Sequence, residues 1–460
     1  MNDLCNRRVS TLIALAALVL PIAGCTTPST GSELQSDVTA ITNARIIDGN
    51  GGEPIADGVI VIRGERIEAI GPASSTRVPE GARIIDAAGR TAMPGLADMH
   101  VHVGQGGWDG TTADLLGFQR YLNALLYAGV TTVLTLGDVL PHIQQIHNEI
   151  EAGRLVGPRV YFAGPLLDGP EPWWPELSYA VSSLPQMQGY VRNLKVAGAH
   201  VIKGYSGLPD ERIAQLVEAS AKESLPAIVD VWDRNGSAGT AATGITAFAH
   251  LGWSEVTDEA IEVMVRERVA TITTATLTDA RLRWQERGGD FAEAPLIGPV
   301  TPPWVFGPLT DVVIHGKGTS YATNTAEERL IPLRNAKRMF DAGILLIAGT
   351  DTPSPGLFFG EGLHRELELL VEAGLTPLQA ISTATRNAAA LMRADDWGTL
   401  EPGRRADVLI VDGDPATRIG DTRNIAVLLQ RGRIVDRQRL EFDPATDPGY
   451  RPAGNVSRSE

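Results

Sequence analysis

The sequence has 460 residues, which is enough for an α/β barrel of roughly 250 residues and a companion domain. Its composition is that of an ordinary globular protein, with 43% hydrophobic residues, 21% charged residues and no low-complexity segment. The formal net charge of −15 argues against a nucleic-acid partner and against broad adhesion to anionic membranes.

The amino terminus indicates a targeting segment. Arg7 and Arg8 give it a positive start, and residues 12–22 form an apolar run that is too short to span a membrane stably. The run ends in IAGC at residues 22–25, which resembles the lipobox of bacterial lipoproteins. The resemblance implies cleavage before Cys25 and lipidation of that residue, with an ordinary secretory signal as the alternative.

This segment predicts where the protein resides. We expect a lipoprotein signal peptide over residues 1–24 and a polar tether over residues 25–37. The protein would be exported and lipid-anchored to a bacterial membrane, facing the periplasm, with no other membrane contact. Cys5 would leave with the signal peptide and Cys25 would carry lipid, so no thiol would remain for a disulfide or a zinc–thiolate site.

Both ends of the remaining chain have the pattern of a small β-domain. Residues 38–92 contain short β-branched runs separated by Gly, Pro and Asn, which predict an antiparallel unit. Residues 398–436 repeat this style. We expect residues 38–92 and 398–440 to form one β-sandwich domain, followed by a C-terminal tail over residues 441–460.

Between these ends, over residues 93–397, strand-like and helix-like runs alternate. This alternation is typical of a parallel sheet built from βαβ units, and eight strands are the number that a closed (β/α)8 TIM barrel needs. We predict the strands at residues 96–103, 131–137, 159–164, 200–205, 227–232, 247–251, 270–277 and 345–351. Residues 279–326 are predicted to form a long insertion after the seventh strand, as a lid or binding wall.

The most informative segment is MPGLADMHVH at residues 93–102. Side chains alternate faces along a strand, so His100 and His102 point the same way and can share one metal ion. Such pairs also occur on strand surfaces without any chemical role. A metal site therefore requires further ligands, which a barrel would supply from the C-terminal ends of other strands.

Three polar residues stand at such strand ends. Lys203 ends the fourth strand in HVIKGY, His250 ends the sixth in FAHLG, and Asp351 ends the eighth in AGTDTP. Each residue alone is explained equally by a satisfied polar group in the core. A buried ammonium, however, is costly unless it is paired or chemically modified. Their joint placement predicts a site at the mouth of the barrel.

These residues carry a resemblance to a known family over roughly residues 38–440. The chain resembles the amidohydrolase superfamily, in its imidazolonepropionase and prolidase-like branch. The motifs are PGLADMHVH, the IK of strand four, the AH of strand six, the GTD of strand eight, the helix TPLQAISTATRNAAALM and the return GTLEPGRRADVLIVDGDP.

The resemblance implies a divalent metal centre, with zinc as the expected metal and one or two ions. Its ligands would be His100, His102, Lys203, His250 and Asp351, with catalytic roles for Asp351, Lys203 and His250. Carbon dioxide would carbamylate Lys203 and turn it into a bridging carboxylate, which explains why a lysine can lie between two cations. Asp351 would accept a proton from metal-activated water and pass it to the leaving amine.

One departure from the family concerns the fifth strand. Family members carry a ligand histidine about twenty residues before the histidine of strand six, and Asp230 of IVDVWD occupies that place here. A carboxylate can bind zinc at a distance similar to that of an imidazole. Asp230 is therefore either a substitute ligand or a structural aspartate, and a mononuclear enzyme stays open. Asp233 is a weaker candidate.

A second departure concerns the substrate. Dipeptidases of this branch grip a substrate carboxylate with a Tyr and an Arg, whose places are taken here by Trp232 and Ala238. Arg281 and Arg283 in the predicted insertion are possible replacements, although exposed arginines are usually only solvated surface.

Aromatic residues after the predicted strands indicate the kind of substrate. Tyr205, Trp232 and Trp253 are candidate substrate-binding residues. Other tryptophans follow strands at positions 108, 173, 174, 284 and 304. A mouth lined in this way suggests a small molecule with an apolar or aromatic portion, although simple loop packing explains each residue singly.

The leading hypothesis is a metal-dependent hydrolase that uses metal-activated water to cleave an amide or another C–N bond. One alternative is an ester, lactone or phosphoester hydrolase on the same centre. Another is a non-catalytic ligand-binding lipoprotein with a degraded metal site, although a binder needs neither Lys203 nor Asp351. The sequence contains no G-x-S-x-G nucleophile elbow, which argues against a serine hydrolase. The sequence leaves open whether the protein forms a homo-oligomer.

Overall fold

The computed structural model describes residues 37–104, 117–231, 237–287, 290–315 and 325–446. Cys25, Trp108, Trp232 and Asp233 lie outside the described residues, as do the predicted signal peptide and most of the tether. Within the described ranges, no helix combines the length and apolarity needed to cross a bilayer.

The strands are β1 (Val38–Ile46), β2 (Ile55–Arg63), β3 (Arg66–Pro72), β4 (Arg83–Asp86), β5 (Thr91–Pro94), β6 (Leu96–Val101), β7 (Val130–Thr135), β8 (Arg159–Phe162), β9 (Leu166–Asp168), β10 (Ser178–Ala180), β11 (Ile202–Gly204), β12 (Ala227–Asp230), β13 (Ala247–Ala249), β14 (Ala270–Ile272), β15 (Leu346–Ile347), β16 (Val408–Val411), β17 (Ile425–Gln430) and β18 (Arg433–Ile434). The helices are α1 (Phe118–Tyr127), α2 (Leu140–Glu151), α3 (Leu184–Val196), α4 (Asp210–Lys222), α5 (Ala238–Ala241), α6 (Asp258–Glu267), α7 (Thr276–Arg287), α8 (Phe306–His315), α9 (Ala326–Asp341), α10 (Glu361–Glu372), α11 (Pro377–Thr383) and α12 (Arg386–Leu391).

Strands from both ends of the described chain share one sheet, in the order β18-β17-β16-β5-β1-β2-β3, with β4 also paired to β1. The prediction that residues 38–92 are antiparallel throughout is wrong, because β4 and β5 both run parallel to β1. The reason lies in the connections. The loop over residues 47–54 and the two-residue turn at 64–65 reverse the chain between β1, β2 and β3, whereas β4 follows a crossover over residues 73–82 that returns it parallel to β1.

The central strands form two parallel sheets that hydrogen bonds join into a ring. The two sheets contain β6-β7-β8 and β11-β12-β13-β14-β15, the latter extended by β9 and β10. The N–H of His200 donates to the carbonyl of Phe162 at 2.9 Å, which links β8 to the segment entering β11. The N–H of Met99 donates to the carbonyl of Ala348 at 3.0 Å, which links β6 to the end of β15. The ring therefore contains eight strands at the eight predicted places, and the (β/α)8 fold is confirmed.

Burial and helix capping explain why these segments take these forms. Strands β6, β7 and β12 are buried along their whole length, as is typical of parallel strands covered on both faces. Helices α9 and α11 each begin with a capping box, formed by Thr325 with Glu328 and by Thr376 with Gln379. These caps fix the residues at which α9 and α11 begin.

The seventh strand and the predicted insertion differ from expectation. The strand was expected to extend to residue 277, but β14 ends at Ile272 and α7 begins at Thr276. Part of the predicted insertion is therefore helical, in α7 and α8. The apolar run alone does not distinguish the end of a strand from the start of a helix.

Candidate metal centre

A carboxylate of the last barrel strand lies between two imidazoles of the first. Oδ1 of Asp351 is 2.8 Å from Nε2 of His102 and 3.1 Å from Nε2 of His100. One ligand atom from each of these three residues lies within 4.8 Å of the other two. Two imidazoles and a carboxylate are a donor set that suits zinc and similar divalent ions.

A second carboxylate completes the neighbouring half of the site. Oδ2 of Asp230 is 3.1 Å from Nε2 of His250 and 3.4 Å from Nζ of Lys203. The two halves adjoin, because the ring centroids of His100 and His250 are 4.7 Å apart. The structure thus brings together all of the residues predicted to bind metal: His100, His102, Lys203, Asp230, His250 and Asp351. Their roles as ligands stay predictions.

Two buried polar atoms of this group test whether a cation fits it. Nδ1 of His100 and Nζ of Lys203 have no hydrogen-bond partner among the described residues, although both are buried. Burial lowers the pKa of Lys203 against the opposing charges of Asp230 and Asp351. The neutral amine is the form of lysine that can react with carbon dioxide. The donor set and the unsatisfied lysine therefore fit a metal centre.

Electrostatics prepares the two kinds of ligand differently. Burial lowers the pKa of His100 to about 3, which keeps this imidazole neutral. The pKa of His102 is raised, because the hydrogen bond and charge of Asp351 outweigh burial. Burial alone would raise the pKa of Asp351, but the surrounding histidines hold it well below its usual value. Asp351 is thus ionised, as a metal ligand or proton acceptor must be.

The backbone is strained at the same place. His250 has φ 73° and Asp351 has φ 63°, and both angles lie in the left-handed region that non-glycine residues rarely adopt. Thr274, whose Oγ1 lies 2.9 Å from Nδ1 of His250, has φ 104°. Strained residues of this kind cluster at functional sites, where the surrounding structure holds them in place.

Comparisons with known proteins identify the family of the chain. Residues 91–436 match the amidohydrolase family. The chain belongs to the amidohydrolase family. It is 25% identical over 410 residues to an imidazolonepropionase of Porphyromonas gingivalis, which covers 83% of this chain and 88% of that protein. It is also 25% identical over 427 residues to an adenine deaminase of Mesorhizobium japonicum. That match covers 88% of this chain but only 58% of the deaminase, so this chain spans little more than half the length of that relative.

Solved structures share the fold. A molinate hydrolase superposes with a TM-score of 0.70 at 22% identity, over 92% of this amidohydrolase and 99% of the other chain. A Xaa-Pro dipeptidase superposes with a TM-score of 0.68 at 21% identity, over 86% of this chain and 99% of the other. At these identities the likeness shows the fold alone.

Sequence reasoning missed two buried carboxylates of the amidohydrolase that support the centre. Asp98 accepts hydrogen bonds from the backbone N–H and the hydroxyl of Thr350, next to Asp351. Asp138 accepts a hydrogen bond from the N–H of Gly104 at 2.9 Å, and burial raises its pKa to about 7. Asp98 precedes His100 by two residues, so its place in the alternating pattern was a usable signal. Asp138 directly follows the predicted strand at residues 131–137, which was a weaker signal.

The aromatic residues predicted for substrate binding divide into two groups. The hydroxyl of Tyr205 accepts a hydrogen bond from Nε1 of Trp174 at 3.1 Å, and the neighbouring Trp173 is 63% exposed. Trp253 is half-buried and packs against an apolar cluster near α7. Trp284 was expected at the mouth, but it is buried and stacks among phenylalanines, so that expectation is wrong.

The suggested arginine grip is also wrong for Arg283. Its guanidinium donates two hydrogen bonds to the buried carboxylate of Glu361, at 3.0 and 2.5 Å. Because both side chains are nearly inaccessible, this arginine is engaged inside the protein. The side chain of Arg281 lies outside the described part of the structure.

Proposed function

We propose that this amidohydrolase is a metal-dependent hydrolase that cleaves an amide or another C–N bond. The observation that carries the proposal is the ionised Asp351 held between His100 and His102, with Lys203 and its partner Asp230 in the adjoining half of the site. The adenine deaminase and imidazolonepropionase relatives act on carbon–nitrogen bonds, which supports this reaction class.

The residues present could hold one or two divalent ions, for which we propose zinc. His100, His102 and Asp351 would hold one, and His250 with Lys203 and Asp230 would take part in holding another. A bound cation supplies Lewis acidity, which makes water more acidic and polarises an acyl group. We propose that Lys203 is carbamylated by carbon dioxide, because burial lowers its pKa toward the neutral amine, which would release a proton on reaction and become an anion suited to binding cations.

The side chains then divide the proton chemistry among themselves. Asp351 is ionised and can accept a proton from water through its carboxylate, then return it to the leaving nitrogen. Its other oxygen, Oδ2, accepts a hydrogen bond from the hydroxyl of Ser354 at 3.0 Å, which limits rotation of the carboxylate. His100 stays neutral, so its role here is to bind the cation and not to transfer a proton.

We propose a small-molecule substrate with an apolar or aromatic portion. The exposed indole of Trp173 and the hydrogen-bonded pair of Trp174 and Tyr205 support this, since the tryptophans follow β9 and Tyr205 follows barrel strand β11. Engagement of Arg283 by Glu361 removes one candidate for gripping a substrate carboxylate.

The test is to express the protein with zinc and bicarbonate, determine bound metal by mass spectrometry and assay hydrolysis. The substrate panel contains N-acyl amino acids, dipeptides and cyclic amides, with matched esters and lactones for comparison. Asp351→Asn should lower the turnover of the best amide by roughly 100-fold or more. Near-zero metal in the wild type would favour the ligand-binding alternative, and turnover of esters alone would favour the ester hydrolase.

We also propose that the protein is a lipoprotein anchored through Cys25 to a bacterial membrane and facing the periplasm. The lipobox-like residues before Cys25 support this. Cys25→Ala should abolish incorporation of labelled palmitate and release the protein from the membrane fraction. Unchanged membrane association of the Cys25→Ala variant would contradict the anchor.

A further inference from the structure

Glu366 is a buried carboxylate that takes no part in the ligand group described above. It lies on α10 with no exposed surface. Its Oε1 accepts hydrogen bonds from the backbone N–H groups of Thr274 and Ala275, both at 3.0 Å, and its Oε2 accepts one from Thr276 at 2.9 Å. Three backbone donors from consecutive residues thus converge on one side chain. Glu366 therefore fixes the turn that leads from β14 into α7.

The first residue of this turn is held in an unfavourable conformation. Thr274 has φ 104°, which is an outlier for a β-branched residue. Such a conformation persists only where the surroundings determine it. The bond from the N–H of Thr274 to Glu366 is one of the contacts that do so.

Thr274 in turn contacts the candidate metal centre. Its Oγ1 lies 2.9 Å from Nδ1 of His250, while Nε2 of the same ring faces Asp230 at 3.1 Å. A histidine that binds metal through one ring nitrogen needs the other held, because that second bond sets the tautomer and the ring orientation. Thr274 is placed to hold it.

We infer that Glu366 is a positioning residue for His250 and acts through the strained Thr274. The inference rests on the proposed function, since it concerns a His250 that binds metal. Helix α10 is itself fixed by a separate carboxylate, Glu361, which pairs with Arg283 and Arg423. The hydrogen bonds of Glu361 within the described part of the chain go to these arginines and not to the turn at Thr274, so Glu361 provides a matched control on the same helix.

The test measures metal affinity by competition with a chelator. Glu366→Gln should bind zinc roughly 10- to 100-fold more weakly than the wild type, because the amide presents an N–H₂ group to at least one backbone donor. In a His250→Asn background the same substitution should cause no further loss, whereas in a His102→Asn background its effect should persist in full. Glu361→Gln should stay within about twofold of the wild type in zinc affinity.

Two substitutions of the threonine test the link directly, and they keep the inference testable if Glu366→Gln fails to fold. Thr274→Val keeps the branched shape and removes the hydroxyl, so it should weaken zinc binding as Glu366→Gln does. Thr274→Ser keeps the hydroxyl and should restore binding. Deuterium exchange at residues 274–276 should quicken in Glu366→Gln but not in Glu361→Gln.

The outcomes separate this inference from the proposed function. A wild-type protein that binds no metal would overturn both. A wild type that binds zinc, with equal losses from Glu366→Gln in the two histidine backgrounds or undiminished affinity in Thr274→Val, would overturn the positioning role alone.

Discussion

Asp98 on the first barrel strand accepts two hydrogen bonds from Thr350 at the end of the last, one from the backbone N–H at 3.0 Å and one from the hydroxyl at 2.7 Å. The bonds join the two strands where the barrel closes, between His100 and Asp351. Burial raises the pKa of Asp98 to about 7, so a neutral side chain is tolerated here more readily than at most buried carboxylates.

We therefore expect Asp98→Ala to destabilise the fold by about 0.5–1.5 kcal/mol for each hydrogen bond lost, because the N–H of Thr350 still faces the carbonyl of His100 and its hydroxyl still contacts Thr352. Asp98→Asn should cost less, because the amide oxygen can still accept one bond. Thermal unfolding measures both, with the exposed Asp57→Ala as the control. Equal melting temperatures for Asp98→Ala and Asp57→Ala would contradict a closing role.

Lys203 is expected to be indispensable for metal loading. Lys203→Ala should lower the metal bound per chain and nearly abolish turnover, with partial rescue by short carboxylic acids that replace the missing anion. Metal analysis and an activity assay with added acetate or propionate measure this. Lys222→Ala, which alters an exposed lysine paired with Glu218, is the control. Wild-type activity in Lys203→Ala would refute the bridging role.

Variants of Asp230 decide whether this residue is a substitute metal ligand or a structural aspartate. Asp230→His should preserve or raise the metal content if this position is a ligand, since it introduces an imidazole at the end of β12. Asp230→Ala should lower the metal content and leave Lys203 without its 3.4 Å partner. Metal counting on both variants decides the question, and an unchanged count in Asp230→Ala would show that Asp230 is structural.

Arg283 should matter for stability and not for substrate. Removing one partner of a buried ion pair costs about 3–5 kcal/mol, although Arg423 still neutralises part of Glu361 in this case. Arg283→Ala should therefore lower the melting temperature while the KM for carboxylate-bearing substrates stays unchanged. The exposed Arg266→Ala is the control. A raised KM at unchanged stability would revive the substrate grip.

His364 makes stability depend on pH. It is buried near Thr422 and Ala128, and burial lowers its pKa to about 3, against about 6.5 in an unfolded chain. Between these values protons bind the unfolded chain more readily, so the stabilisation is complete above about pH 6.5 and decreases as the pH falls toward 3. The difference in melting temperature between wild type and His364→Gln should shrink over this interval. A constant difference would contradict the assignment.

Residue type and spacing predicted the barrel and the polar strand ends that meet at its mouth, whereas the ligand set came from the family resemblance and stays a prediction. His100, Lys203, His250 and Asp351 are polar residues at the ends of apolar strands, and parallel strands of a barrel bring such ends together. The fold follows from the same alternation, which is a local property of the chain.

The supporting residues escaped prediction because their partners are distant in sequence. Asp98 and Thr350 are 252 residues apart, and Glu366 and Thr274 are 92 apart. Nothing local to Glu366 distinguishes it from the other acidic residues of its helix. The error at Arg283 has the same origin, since only the folded chain shows that Glu361 faces it.

The left-handed backbone at His250 and Asp351 has a consequence for engineering. Glycine adopts positive φ without penalty, so replacing either residue by glycine would relieve a local cost while removing the side chain that the chemistry needs. Selection for thermal stability alone would therefore favour inactive variants. A screen for stabilised variants should keep His250 and Asp351 unchanged.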